Sequence, residues 1–151
     1  MSGDPVADAR AVIDANSYMT LGTADESGRP WVSPVWFAHS GYREFFWVSS
    51  PAARHSINLA ARPEVGIVIF DSQVSPAEAE AVYVSATAGE LFGDEVEPGI
   101  EVFSRKSESD GLPAYSRADV EEPAKLRLFR ATATEHFALG AGSQRVPVDP
   151  T

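Results

Sequence analysis

Cysteine is absent from this 151-residue chain, which excludes disulfide frameworks, thiol catalysis and cysteine-based zinc sites. Positive charge is scarce as well. Ten arginines and two lysines face 22 acids, for a formal net charge of −10. The first 75 residues carry five cations and eight acids and the remainder seven and fourteen, so the acidity is concentrated late. The cations are scattered rather than clustered, so neither nucleic acid nor an anionic membrane is an expected partner. Long hydrophobic runs are missing too. Val65–Phe70 is the longest apolar stretch, far below the ~20 residues that span a bilayer. Met1–Asp14 has neither the basic start nor the apolar centre of a signal peptide, and a cytoplasmic location is the expectation. The three histidines, His39, His55 and His136, lack paired ligand spacing, so no metal site is expected. No Ser-His-Asp order, nucleophile elbow or P-loop is present. No catalytic side chain is therefore assigned, and any hard chemistry falls to a cofactor.

What is present describes one domain. At 44% apolar residues the chain can build its own core without a staple. Asp4 followed by Pro5 is a cap-and-proline start, with Val6, Ala9 and Ile13 at helical spacing, which predicts a helix over 5–15. Strands are predicted over Tyr18–Ala24, Trp31–Ala38 and Glu44–Ser49 as three consecutive antiparallel strands, with turns at 25–28 and 39–41. Ser50-Pro51 repeats the cap signal, predicting a helix over Ala52–Ala61 that stops before Pro63. Strands follow at Val65–Phe70, Val82–Phe92 and Lys125–Leu139, where Phe129, Ala131, Ala133 and Phe137 share a face at period two. The polar stretch Asp94–Glu122 reads as helical pieces docked weakly outside, Ile100, Val102 and Phe103 among them. Residues 5–139 form the predicted domain and 140–151 a frayed tail. Six strands at hairpin spacing with a helix between the third and fourth point to a mainly β fold, a small antiparallel barrel with peripheral helices.

Two segments carry the functional signal. The helix after Pro51 contains no acid, although a helix N-terminus favours negative charge, and its early turns hold Arg54 and His55. With free backbone N–H groups and nearby serine hydroxyls these side chains make a phosphate cradle. The competing reading is that both are solvated surface residues, and the composition alone does not separate the two. In Trp31-Val32-Ser33-Pro34-Val35-Trp36-Phe37, Pro34 marks a sheet edge or a bulge. Trp36 and Trp47, on neighbouring predicted strands, either wall a flat ligand or belong to the barrel core.

The ordered set Tyr18-Met19-Thr20-Leu21-Gly22-Thr23, Gly28-Arg29-Pro30, Ser33-Pro34-Val35-Trp36-Phe37, Phe46-Trp47-Val48-Ser49-Ser50, Arg54-His55-Ser56-Ile57-Asn58-Leu59 and Arg62-Pro63-Glu64-Val65 closely resembles the pyridoxamine 5′-phosphate oxidase-like flavin-binding split-barrel proteins. The match covers about residues 10–95, and the strand at 125–138 also fits. The resemblance implies a six-stranded antiparallel split β-barrel, a homodimer with two FMN molecules at its interface. It places Ser33, Pro34, Val35 and Trp36 along the isoalloxazine, and Val48, Ser49 and Ser50 at the ribityl phosphate. Arg54, His55 and Ser56 would hold the phosphate, Asp71 and Ser72 would lie near the flavin's polar edge, and Asn58 would be structural.

This chain has Arg54-His55 where the true pyridoxamine phosphate oxidases have an Arg-Lys pair. It also has a single arginine, Arg145, where they carry a basic C-terminal segment. Both departures argue against vitamin B6 as the substrate. The resemblance thus implies an FMN-dependent oxidoreductase taking electrons from a donor such as NAD(P)H and passing them to a small-molecule substrate. Its alternatives are a deazaflavin-dependent reductase of the same fold and a non-catalytic flavin-binding protein.

Overall fold

A computed structural model describes residues 2–151. Helix α1 (Pro5–Ala15) begins as predicted, with the Asp4 carboxylate accepting the Val6 and Ala7 amides, and it buries Ala9 and Ile13. Strands β1 (Tyr18–Ala24) and β2 (Pro30–Trp36) form a hairpin in continuous register from Tyr18 opposite Trp36 to Ala24 opposite Pro30. After the single residue Phe37 come β3 (Ala38–Ser40) and β4 (Glu44–Ser49). Helix α2 (Arg54–Ala61), β5 (Glu64–Phe70), β6 (Ala81–Glu90), α3 (Val96–Ser109), β7 (Arg127–Leu139) and β8 (Arg145–Pro147) complete the order.

The strands lie in the order β2-β1-β5-β6-β7-β4-β3, with β8 added beside β7. Every pairing is antiparallel. The two ends of that path, β2 and β3, are joined through one residue, so the sheet curls until its edges are neighbours. That is a split barrel: closed in shape, but open in hydrogen bonding between its two ends. The interior is apolar, with Leu21, Phe45, Trp47, Ile69 and Ala131 fully buried. Trp47 stacks on Phe129 with ring centroids 5.8 Å apart.

Several expectations are corrected. Six long strands are present, but two three-residue strands, β3 and β8, join them. The first three predicted strands are not a meander, because β4 pairs with β7 and β3 rather than with β2. The proline at position 34 lies on β2, an edge strand, which removes the demand for its missing N–H. In β7 an extra residue, Thr134, interrupts the pairing with β6, because Ser85 faces Glu135 while Ala86 faces Ala133. This bulge flips the alternation, so His136 is buried and Phe137 is not on the face of Ala133.

The 94–122 segment contains one substantial helix rather than loosely docked pieces. α3 buries Val96, Ile100 and Phe103 in a second core with Phe46, Leu91 and Leu128. The tail is not frayed. β8 pairs with β7, Pro150 is fully buried, and its carbonyl accepts Arg10 Nε at 2.7 Å. Among the described residues no helix is long and apolar enough to cross a membrane.

Candidate functional site

Helix α2 begins at Arg54, two residues later than predicted, because Ser50-Pro51-Ala52-Ala53 is spent on a turn. The Ser50 Oγ accepts the Ala52 amide, and the Ala53 amide donates to the Ser50 carbonyl. Ala53 is thus the N-cap, and no side chain caps the helix; its first turn contains no acid. The amides at this end point outward without a side-chain acceptor, the arrangement that attracts an anion. Three side-chain bonds fix the helix in place. Ser56, buried, donates its hydroxyl to the Ser50 carbonyl at 2.7 Å. Asn58 donates Nδ2 to Thr23 Oγ1 at 3.1 Å on β1, and Arg62 reaches the Glu26 carbonyl at 3.0 Å.

Around that end the chain gathers Ser49, Ser50, Arg54, His55 and Ser56. His55 Nε2 and Ser49 Oγ share a 2.9 Å hydrogen bond. Burial pushes the His55 imidazole below its ordinary pKa, so it is neutral near pH 7 and acts as a hydrogen-bonding partner rather than a charge. Arg54 instead turns over Trp31, its guanidinium carbon 4.3 Å from the ring centroid. Between the β1–β2 turn and α2 lies an open cleft of about 400 Å³, lined by Arg29, Trp31, Ala52, Arg54 and Ile57 among others. Asp25 is the acid on its wall. That carboxylate accepts from the Ser27 amide and hydroxyl and from the Arg29 amide, which hold its pKa below the usual carboxylate range and direct its charge into its own turn.

These features fit a phosphate monoester. An uncapped helix start, a guanidinium without an acceptor among the described residues and two serine hydroxyls are complementary to such a group, and Asp25, the acid on the cleft's lining, is already occupied.

Residues 6–139 match the family profile of pyridoxamine 5′-phosphate oxidase. The chain belongs to that family. Curated proteins provide no match. Among solved structures, the heme-binding protein of Mycobacterium smegmatis is similar with a TM-score of 0.74 at 19% identity. It is covered over 99% of this chain, which spans 60% of that protein's length. The heme storage protein HutZ of Vibrio cholerae gives a TM-score of 0.65 at 23% identity, over 85% of this chain and 89% of its own. An F420 reductase gives 0.62 at 17% identity, over 85% and 94% respectively. At these identities the likeness is one of fold.

Within this pyridoxamine 5′-phosphate oxidase-family barrel, the remaining predicted site residues separate by location. Ser33 accepts a hydrogen bond from Trp31 Nε1 at 3.1 Å and so joins the cleft indirectly. Val35 faces the barrel core, while Pro34 is exposed. Trp36 packs edge-on against Phe103, with Val48 beside the same second core. Trp36 and Trp47 therefore wall no common space, because Trp47 belongs to the barrel interior. Asp71 and Ser72 stand apart, at the far end of β5 from α2, on the order of 20 Å along the strand. There Asp71 accepts the Gln73 amide and Ser72 accepts Gln73 Nε2. Arg54 is the one predicted site residue on the cleft's lining, and Arg29 and Trp31 are the cation and the aromatic there that the sequence did not single out. The sequence shows both residues but gives no signal that they line this cleft, because their approach to α2 depends on the β1–β2 register.

Proposed function

We propose that this protein binds FMN, with the phosphate at the start of α2, and serves as a flavin-dependent oxidoreductase. The observation that carries the reading is the uncapped, acid-free first turn of α2 with Arg54, His55 and Ser49 gathered at it. Family membership supports a flavin-type ligand, since the same fold includes an F420 reductase. When bound, the flavin supplies the redox chemistry, accepting a hydride or electrons from a donor such as NAD(P)H for transfer to a small acceptor. The chain's own part is binding and orientation. First-turn amides and Arg54 hold the phosphate, Ser49 and His55 supply hydrogen bonds, and the unpaired side of edge strand β2 at Ser33–Trp36 offers backbone groups to the ring system.

A homodimer is part of this proposal. The outward rows Val32-Gly22-Gly66-Ser85 and Pro34-Thr20-Val68-Tyr83 run across β2, β1, β5 and β6 without a charged side chain. In a chain of net charge −10, such a face has a physical motive to be covered.

The test is an absorption titration of the purified protein with FMN, with the deazaflavin cofactor and with hemin, followed by addition of NADPH. A bound, red-shifted FMN spectrum that bleaches with NADPH is the expected result. Replacing Arg54 and His55 together with Ala is expected to weaken FMN binding by about 2–4 kcal/mol. Preference for the deazaflavin or for hemin, or an unchanged affinity in the double variant, overturns the reading. Binding without bleaching makes the protein a flavin carrier rather than an oxidoreductase. Two of the three histidines are already engaged away from the site, which argues against them as heme ligands. His39 Nε2 donates to Asp14 while its Nδ1 accepts the Tyr42 amide, and His136 is buried with Nε2 on the Tyr42 carbonyl.

A further inference from the structure

Trp31 is a large aromatic side chain on an edge strand, 42% exposed and outside both hydrophobic cores. Burial does not explain it, yet its ring is fixed at two points. Its Nε1 donates to Ser33 Oγ at 3.1 Å, and the Arg54 guanidinium carbon lies 4.3 Å from the ring centroid. Arg54 itself makes no hydrogen bond or ion pair with any described residue, although the protein carries 22 acids. A guanidinium held over a ring keeps N–H groups free for a ligand, and those are the groups that grip a phosphate in a fork. An arginine without such a contact gives up more side-chain freedom on binding.

We infer that Trp31 is the positioning residue for Arg54, and that the pair sets the preference of the cleft for a ligand bearing a terminal phosphate over the same ring system without one. Ser33 acts one step further out, by fixing the indole. The inference rests on the reading of the α2 start as a phosphate cradle, and it adds the residue that makes the arginine selective.

The experiment compares FMN with riboflavin, which lacks the phosphate, as ligands for the full-length apoprotein. Trp31→Leu is expected to weaken FMN about two- to fivefold, the size of an exposed cation–π contact, and to leave riboflavin unchanged. Trp31→Phe, which keeps an aromatic face, is expected to restore most of the FMN affinity. In an Arg54→Ala background Trp31→Leu is expected to have no further effect, because a positioning residue acts through its partner. Inorganic phosphate added to the apoprotein is expected to change the tryptophan emission in wild type and not in Trp31→Phe, a readout that needs no turnover. Circular dichroism controls for folding, and the exposure of Trp31 predicts that all variants fold.

Equal losses for FMN and riboflavin in Trp31→Leu would show that the indole meets the ring system, which overturns the inference. So would additive effects of the two substitutions. If Arg54→Ala alone leaves FMN affinity unchanged, the cradle itself fails. If Arg54→Ala weakens FMN while Trp31→Leu does not, the cradle stands and the positioning role falls.

Discussion

At the scale of single residues the site depends on which groups are charged before a ligand arrives. Burial lowers the His55 pKa, and the unfolded chain therefore binds its proton at higher pH than the folded one. Its contribution thus reduces stability as pH falls from about 6.5, the ordinary imidazole value, through the lower folded value. A phosphate beside the ring has the opposite effect, since negative charge favours the imidazolium. An NMR titration of the His55 ring is expected to give a midpoint below the ordinary imidazole value in apoprotein and a higher one with inorganic phosphate present. A midpoint that ignores phosphate would place His55 outside the cradle. Ser49, Ser50, Arg54, His55 and Ser56 were legible in the sequence because one turn and the start of one helix bring them together. Trp31 was not, because it is 23 positions before Arg54 and meets it only through the packing of α2 on the β1–β2 hairpin.

At the scale of elements, local chemistry predicted most ends to the residue and fewer beginnings. The Asp4-Pro5 start of α1 is read directly from capping, and the β1–β2 hairpin from its polar turn. Capping rules misplaced the start of α2, since Ser50 caps a turn instead of the helix. The bulge in β7 was hidden because a single unpaired residue, Thr134, leaves no compositional mark. The weight of α3 was underestimated for a different reason. Its polar outer face dominates the composition, while Val96, Gly99, Ile100 and Phe103 carry the packing. Gly99 is the close-approach point, because a Cβ built there would lie 2.8 Å from Leu128 Cδ2 and 3.0 Å from Leu91 Cδ1. Gly99→Val is expected to destabilise the protein by about 2 kcal/mol through overpacking, which outweighs the propensity gained over glycine. Denaturant unfolding measures this, and an unchanged midpoint would mean that α3 can lift from the sheet without loss.

At the scale of the whole molecule, the barrel follows from one constraint, that β2 and β3 are opposite ends of the sheet and only Phe37 lies between them. Periodicity predicted the strands but carried no information on that closure, because pairing order is set by long-range contacts. The same closure turns the β2-β1-β5-β6 wall outward, with Tyr18 60% and Val32 65% exposed. Arg145 lies over the Tyr83 ring at 4.0 Å and Glu64 stands outward at the start of β5, so charge borders the uncharged rows of this face. An uncharged centre with a charged border is the anatomy of an interface. Sedimentation at micromolar concentration is expected to give twice the 16.2 kDa of one chain. Val68→Arg puts a guanidinium in the middle of both apposed faces, where an interface would bury it without a partner, and it is expected to shift the population to monomer. Val68 projects outward on a central strand, so circular dichroism of the variant should match wild type. A wild type that sediments as a monomer, or a Val68→Arg variant that remains dimeric, removes this face as the contact. FMN titration of the monomeric variant then shows whether one chain is sufficient for the cradle: unchanged affinity means the phosphate site is complete within α2, β2 and β4, and lost affinity means the second copy supplies part of it.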